Sequence, residues 1–150
     1  MNIQIICEQY NIINYTINSD GSIDVNGWVD LSEKGLTELP LSFNKVYGNF
    51  FCGDNKLTTL KGSPRWVDGS FYCSSNRLPS LEFCPDYVGS YFICRYNNLT
   101  DNYCESEIGG GFYTTVYQDG MIFDYNLVTN YNEWRKLYKR KMILNDIFNM

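Results

Sequence analysis

The chain has 150 residues, 44% of them hydrophobic and 17% aromatic, so it has the length of one domain and enough apolar material for a core. Seventeen acidic residues against 12 basic ones give a formal net charge of -5, which argues against broad, non-specific binding of polyanions. Histidine is absent, so the chain lacks the usual acid/base group at physiological pH, every Ser-His or Cys-His nucleophile pair and the commonest zinc ligand.

The apolar runs are all far shorter than a membrane span, so the sequence predicts no membrane association. The first residues carry no basic leader and reach Glu8 before an apolar stretch of signal-peptide length has formed. We therefore expect a cytoplasmic protein in which the six cysteines stay reduced.

Residues 1–28 are predicted to form an N-terminal cap, made of a helix and a β-hairpin. Apolar residues at spacings of three and four indicate a short amphipathic helix. They are Ile3, Ile6, Cys7 and Tyr10. Alternating polar and apolar residues over 15–18 and 22–25 then flank Gly21, which suits a hairpin turn.

From residue 29 onward the chain repeats itself with a 21-residue period, and six columns of identical residues share this register. They are Leu36, Leu57, Leu78 and Leu99; Leu39, Leu60 and Leu81; Val46, Val67 and Val88; Phe50, Phe71 and Phe92; Cys52, Cys73 and Cys94; and Asn55, Asn76 and Asn97. A degenerate copy at Val29 lies one period before Phe50, and a later copy at Phe112 follows Phe92 one residue short of a full period. The repeats predict a stack of coils over residues 29–116.

Each unit reads Phe-x-Cys-x-x-Asn-x-Leu-x-x-Leu, as it does from Phe50 onward. Side chains alternate across a strand, so Phe50 and Cys52 are predicted to point inward and Phe51 outward. The Asn that ends each strand is placed to hydrogen-bond backbone groups of its own coil and of the neighbouring coil. We therefore interpret the Asn column as a structural ladder and not as a binding site.

This unit resembles the leucine-rich-repeat signature, with Phe and Cys in two of the usual leucine positions. The segment Leu-Thr-Glu-Leu-Pro at 36–40 is similar to the Leu-x-x-Leu-Pro phrase of bacterial leucine-rich repeats. Units like those at 57–64 and 67–73 resemble short proteins encoded by large tailed bacteriophages, and this resemblance covers roughly residues 12–150. It implies a mainly β leucine-rich-repeat solenoid with short parallel strands and with returns of irregular or 3-10 type.

Residues 117–150 are predicted to form a C-terminal cap, with a helix over about 131–148, because a terminal coil would otherwise expose its core. The helical stripe consists of Trp134, Leu137, Tyr138, Lys141, Leu144 and Phe148. Five basic residues against two acidic ones follow Thr129, which leaves the rest of the chain more acidic than the whole. These basic residues either solvate the outer face of the helix or contact nucleic acid or an acidic protein. The acidic body alternatively mimics nucleic acid.

Three cysteines, Cys52, Cys73 and Cys94, are predicted to form a buried ladder of reduced thiols in successive strands. Their 21-residue spacing, without histidine, is unlike that of structural zinc sites. The others share no 21-residue register, and although they could approach one another we expect no native disulfide. They are Cys7, Cys84 and Cys104.

Carboxylate pairs such as Asp20 with Asp24 and Glu105 with Glu107 lie in turns or at element edges, where solvated carboxylates are ordinary. The glycines at 109–111 fill the position before a strand and are not followed by the Lys-Ser/Thr of a phosphate-binding loop. The sequence therefore predicts a protein that is not an enzyme, with no catalytic, cofactor-binding or metal-binding residues.

The outward position of the strands predicts a ridge of large side chains on the sheet face. The ridge consists of Phe51, Tyr72, Ile93 and Tyr113, and the predicted partner-binding residues also include Tyr91, Arg95 and Tyr96. A contiguous row of this kind is unusual on a free surface, and aromatic anchors are favoured at the centres of protein interfaces. A loop, a cap or the convex edge is the alternative location of the interface.

Together these features predict a non-enzymatic protein-protein interaction module. The phage resemblance implies an accessory protein that binds and inhibits or modulates a host or bacterial defence protein in the host cytoplasm. The alternative is a protein that associates with nucleic acid through its basic C-terminal helix, or that mimics nucleic acid through its acidic body. Exposed strand edges would also permit a homodimer if either cap were incomplete.

Overall fold

A computed structural model describes residues 2–100, 103–118 and 121–127, together with the single positions 132, 136, 140, 143, 144 and 147. Over the described residues the chain winds into a β-solenoid of about four turns, with short strands at a spacing of about 21 residues and few helices. In chain order the elements are helix α1 (Ile3–Gln9) and strands β1 (Tyr15–Ile17), β2 (Ile23–Val25), β3 (Val29–Asp30), β4 (Phe43–Val46), β5 (Phe50–Phe51), β6 (Trp66–Val67), β7 (Phe71–Tyr72), β8 (Tyr87–Val88), β9 (Phe92–Cys94), β10 (Glu107–Ile108), β11 (Phe112–Gln118) and β12 (Met121–Leu127).

The solenoid has two sheets, and each full turn contributes one strand to each. The front sheet has the order β12-β11-β9-β7-β5-β3, in which β12 alone is antiparallel to its neighbour. The return sheet has the order β1-β2-β4-β6-β8-β10, in which β1 is the antiparallel strand. The registers Val29 with Phe50 and Phe112 with Phe92 confirm both degenerate copies of the repeat.

The return sheet adds short strands to returns that the sequence predicted to be irregular or 3-10. Val46, Val67 and Val88 are fully buried and lie opposite one another in parallel register. Two residues per coil are enough for pairing, because stacked coils present their backbone N–H and C=O groups to each other along the solenoid axis. Each return is therefore mostly irregular, as predicted, but contains one short strand that was not predicted, and among the described residues none is in a 3-10 helix.

The core between the sheets consists of the predicted columns. The phenylalanine rings form a column along the axis, with centroids 5.6, 5.1 and 5.3 Å apart; the first pair is stacked and the next two meet edge to face. They are Phe50, Phe71, Phe92 and Phe112, all fully buried. Each of these side chains contributes roughly 1.5–3 kcal/mol by leaving water, so the ladder is a main source of cohesion between coils.

The Asn column forms the predicted hydrogen-bond ladder. Asn55 Nδ2 donates to the carbonyls of Leu31, Cys52 and Gly53 at 2.8 to 3.1 Å. Its Oδ1 accepts from the backbone N–H groups of Lys34 and Leu36, both at 3.0 Å. One buried side chain therefore satisfies backbone groups of two coils at the corner where the strand ends.

In four successive coils, the residue before the position of the Asn column has a left-handed backbone conformation. These residues have φ between 53° and 57°, and they are Glu33, Asp54, Ser75 and Tyr96. The bend turns the chain out of the front sheet and leaves the Tyr96 side chain 58% exposed. No glycine marks this bend, so the sequence does not predict it.

At the N-terminal end, α1 and the β1–β2 hairpin form where the sequence predicts them. Asn2 Oδ1 accepts from the backbone N–H of Gln4 at 3.0 Å, which caps the helix, and Cys7 is buried against the core. Strand β2 pairs in parallel with β4, so the hairpin continues the return sheet.

At the C-terminal end, the antiparallel hairpin of β11 and β12 was not predicted. Strand β11 continues past residue 116, where the stack was predicted to end. Of the predicted helix over about 131–148, the six described positions are helical, and Leu144 is exposed. The rest of that helix, including Trp134, Leu137, Tyr138, Lys141 and Phe148, lies outside the described residues.

Candidate functional site

The four ridge side chains lie next to one another on the outer face of the front sheet. Strand pairing places Phe51 opposite Tyr72, Tyr72 opposite Ile93, and Ile93 opposite Tyr113. All four are half-buried, while their strand neighbours are fully buried in the core. The structure therefore brings together all the ridge residues that the repeat register predicts to be adjacent.

The rings of Phe51 and Tyr72 stack face to face, with centroids 4.8 Å apart and planes 15° from parallel. This spacing equals the distance between paired strands, so the ring faces point along the solenoid axis and their edges point outward. One face of each ring is covered by the other ring, and the opposite faces look along the axis toward Asp30 and Ile93, so neither face points outward to stack on a base or sugar. The ridge therefore offers apolar edges to a partner, which suits packing against another side-chain surface.

At its C-terminal end the ridge widens into a cluster around Tyr113. The rings of Tyr91 and Tyr113 meet edge to face with centroids 5.9 Å apart. The guanidinium carbon of Arg95 lies 5.4 Å from the Tyr113 centroid, within the range of a cation–π contact. Tyr91 is 45% exposed, so part of the cluster faces solvent.

Tyr96 lies beside this cluster, at the left-handed bend after Arg95. Its backbone N–H donates to Thr115 Oγ1 at 2.6 Å, and Arg95 N–H donates to Ser74 Oγ at 3.1 Å. These bonds tie the corner to the coils on either side. Six of the seven predicted partner-binding residues thus lie together on this face, and Tyr96 lies at the corner that follows it; their role in binding stays a prediction.

In the backbone register, strands β3 and β12 lie at the two ends of the ridge. Asp30 lies opposite Phe51 at one end, and Asn126 lies opposite Tyr113 at the other. Trp28, which is 64% exposed, lies one residue before β3 and was missed. Trp28 falls in the same 21-residue column as Asn49. The repeat register could therefore have predicted its position.

The outer face of the return sheet carries a second row, which the sequence analysis also missed. Its members in successive coils are Lys45, Trp66, Tyr87 and Glu107. Trp66 and Tyr87 stack with centroids 4.0 Å apart and planes 21° from parallel, and Trp66 Nε1 donates to Asp68 Oδ1 at 2.6 Å. This row mixes both charges with aromatic rings, whereas the ridge is aromatic and aliphatic.

The carboxylates of Asp20 and Asp24 are engaged by their own hairpin and its neighbour. Asp20 accepts from the hydroxyl and backbone N–H of Ser22, and these bonds lower the pKa of its carboxyl. Asp24 Oδ1 accepts from the side-chain amides of Asn18 and Asn44 at 3.1 and 2.8 Å. Both carboxylates thus stabilise local turns, which is a structural use for them.

The thiol ladder of the core has the predicted form. None of the six cysteines is in a disulfide, and Cys52, Cys73 and Cys94 are fully buried. Burial raises the pKa of Cys52 and of Cys73, because an interior thiolate would lose its hydration. Among the described residues no three histidine, cysteine or acidic side chains are grouped closely enough to hold a metal ion.

In the part of the chain that the structure describes, no helix has the length and apolar character needed to cross a membrane. Comparison with family models, with curated proteins and with solved structures finds no match to this chain.

Proposed function

We propose that the chain is a non-enzymatic protein-recognition module that binds its partner through the ridge on the front sheet. The observation that carries this proposal is the unbroken row from Phe51 to Tyr113, in register on four successive strands. Protein interfaces concentrate their binding energy in a few central aromatic and Arg side chains. The ridge, with Tyr91 and Arg95 packed against Tyr113 and with Tyr96 exposed at the adjoining corner, supplies both residue types.

The charge and ring geometry of the ridge favour a protein over nucleic acid as the partner. Nucleic-acid sites need cations along the backbone and aromatic faces for the bases. The ridge has the single cation Arg95, which is engaged with Tyr113, and the stacked faces of Phe51 and Tyr72 cover each other. A protein surface with an apolar centre is the complementary partner.

We further propose that the coils are leucine-rich repeats with a cap at each end. The Asn ladder and the buried columns of Leu57 and Leu60 support the repeat assignment. The C-terminal cap is supported by Asn132, whose Oδ1 accepts from Ile108 N–H at 3.2 Å and whose Nδ2 donates to Ile108 C=O at 3.0 Å. One side chain thus hydrogen-bonds both the N–H and the C=O of Ile108 at the edge of the return sheet. A cap has to satisfy edge groups of this kind.

The biological setting of the proposal rests on the resemblance to short phage proteins. On that basis we place the chain among phage accessory proteins that bind and modulate a host or bacterial defence protein in the host cytoplasm. An accessory protein of this kind needs a specific binding surface and no catalytic site, which agrees with a chain that lacks histidine.

The test compares three tagged versions of the full chain in pull-downs from infected cells: wild type, a ridge variant and a control. The ridge variant carries Tyr72→Glu and Ile93→Glu, which place two charges at the centre of the ridge. The control carries Tyr87→Glu, which places a charge at the matching position of the return sheet. We expect wild type and control to retain one protein in common and the ridge variant to lose it.

Circular dichroism of each variant separates lost binding from lost folding. A folded ridge variant that keeps the partner with the affinity of wild type would overturn the proposal. Retention on DNA or RNA that falls steeply with salt, and that is lost in Lys136→Ala with Arg140→Ala, would favour the nucleic-acid alternative. Both of these basic residues are exposed.

A further inference from the structure

Cys84 and Cys104 occupy the same position in two successive coils. The last coil is one residue shorter than the repeat, because Ile108 lies opposite Val88, and Cys104 follows Cys84 at the same shortened interval. Stacked coils are about 4.8 Å apart, which falls inside the window of roughly 4.4–6.8 Å between the Cα atoms of a disulfide. The absence of a shared 21-residue register concealed this pairing.

The two thiols line one open groove with a volume of about 410 Å³ at the corner before the return sheet. Cys84 is partly exposed, whereas Cys104 is buried. The neighbouring Phe83 has φ of 65° and a 54% exposed side chain, although the same position one coil earlier holds Gly62. A bulky residue held in the left-handed region stores strain, and such strain is concentrated at functional sites.

Hydrogen-bond donors converge on the sulfur of Cys84. The Cys104 thiol, the nearby Ser106 hydroxyl and the backbone N–H groups of Glu105 and Ser106 together lower the pKa of Cys84 to about 7, although burial opposes them. The Ser106 oxygen lies 3.5 Å from the Cys84 sulfur, and its hydroxyl also donates to the Pro85 carbonyl oxygen. The core pair of Cys73 and Cys94 has the opposite character, because burial raises the pKa of Cys73. Reactivity follows the thiolate, so the two cysteine pairs should behave differently.

We propose that Cys84 and Cys104 form a redox-active dithiol that reacts with low-molecular-weight disulfides and closes to an intramolecular disulfide. The Cys84 thiolate attacks one sulfur of the disulfide, and the other sulfur leaves as a thiolate. The Cys104 thiol then attacks the Cys84 sulfur of the mixed disulfide, and the second small thiol leaves with the proton of Cys104. The protein loses two electrons and two protons, and the small disulfide becomes two thiols.

The rim of the groove favours cationic or neutral disulfides over anionic ones. Its carboxylates belong to Glu82, Asp86 and Glu105, and Tyr103 donates a hydrogen bond to Glu105. Asp86 is paired with Arg65 at 3.0 Å, so Glu82 and Glu105 set the charge at the entrance. Cystamine is cationic and should enter readily, whereas oxidised glutathione carries net negative charge and should be slowed at low ionic strength.

The test treats the reduced, native full chain with cystamine, quenches it by alkylation under denaturing conditions and maps each cysteine by mass spectrometry. We expect a Cys84 to Cys104 crosslink while Cys52, Cys73 and Cys94 remain reduced. Cys104→Ser should accumulate a mixed disulfide at Cys84, and Cys84→Ser should slow reaction at this corner by about tenfold or more. The rate should rise with pH and reach half its maximum near pH 7, where the Cys84 thiolate forms.

Cys7→Ser is the matched control, because it removes a cysteine elsewhere and should leave the rate unchanged. If the Cys84 or Cys104 variants fail to fold, wild-type protein pretreated with phenylarsine oxide tests the proposal instead, since this reagent bridges only paired thiols. One equivalent of phenylarsine oxide should abolish the reaction of the protein with cystamine. The proposal is overturned by a stable mixed disulfide at Cys84 of wild type, by equally fast crosslinking of Cys73 to Cys94, or by failure of phenylarsine oxide to protect.

Discussion

Asn76 Nδ2 donates to the backbone carbonyl of Cys52 at 2.9 Å, across the gap between two successive coils. The same amide donates to the carbonyl of Cys73 at 3.1 Å and accepts from the N–H of Leu57 at 2.9 Å. Asn76 is buried, so water cannot replace these bonds if the side chain is removed. The Asn76 amide therefore links two coils through hydrogen bonds that apolar packing cannot replace.

Replacing Asn76 by alanine should lower the free energy of unfolding by about 2–4 kcal/mol, because several buried backbone groups lose their partner. Urea denaturation followed by circular dichroism measures the loss. Asn98→Ala is the control, since Asn98 is exposed and should change stability by less than about 0.5 kcal/mol. Equal effects of the two substitutions would contradict the structural interpretation of the ladder.

The parts of the fold that sequence alone predicted are those with a repeated chemical requirement. Phe50 and Asn55 recur in the next two repeats because each of these coils needs the same ring in its core and the same amide at its corner. The ridge followed directly, since alternation across a strand places Phe51 outward once Phe50 is inward.

Other parts of the fold were not predicted, and most of them lack a repeated sequence signal. Two-residue strands such as β6 are too short to show alternation, so the return sheet and its row of Trp66 and Tyr87 were missed. The shortened last coil broke the register that pairs Cys84 with Cys104. The β11–β12 hairpin did carry a signal, the Asp-Gly dipeptide at 119–120 between alternating segments, which is typical of a hairpin turn.

Gly62 and Phe83 permit a matched test of backbone strain, because they hold equivalent positions with φ of 95° and 65°. Phe83→Gly should raise stability by up to about 1 kcal/mol by relieving the left-handed strain of an exposed residue. Gly62→Ala should lower stability by about 1–3 kcal/mol, since its Cβ would lie 2.7 Å from the Leu41 carbonyl oxygen. Thermal unfolding of both variants checks the signs, and a destabilising Phe83→Gly would show that the ring contributes more through packing than its backbone costs.

The buried thiols predict a loss of stability at alkaline pH. Burial raises the pKa of Cys52 in the folded chain above the ordinary value of 9.0, which applies to the unfolded chain. At a pH between the unfolded-state and folded-state pKa values, the unfolded chain releases a proton that the folded chain keeps. The contribution of Cys52 to the free energy of unfolding is therefore fully present below about pH 9. It falls by about 1.4 kcal/mol per pH unit as the pH rises well above 9. Urea denaturation at pH 9 and 10 should show a shallower decline in Cys52→Ala than in wild type, and identical slopes would contradict the assignment.

Stacking of Phe51 on Tyr72 should couple the two residues energetically before any partner binds. A double-mutant cycle of Phe51→Ala and Tyr72→Ala should give a coupling energy of about 0.5–1.5 kcal/mol in unfolding experiments. Phe51 with Ile93 is the control pair, because these residues lie two strands apart. A coupling near zero for both pairs would mean that the rings are not held in the stacked geometry.

Asn132 gives a direct test of the C-terminal cap and of the homodimer prediction. Its side chain occupies both the N–H and the C=O of Ile108 at the end of the return sheet, beyond which no further strand lies among the described residues. Asn132→Ala should lower stability by about 1–3 kcal/mol and leave the edge of β10 open to another chain. Size-exclusion chromatography with light scattering should then show a shift toward dimer as protein concentration rises, whereas Asn98→Ala should behave as wild type. If Asn132→Ala loses stability but stays in the oligomeric state of wild type at every concentration, the edge of β10 is not a dimerisation site.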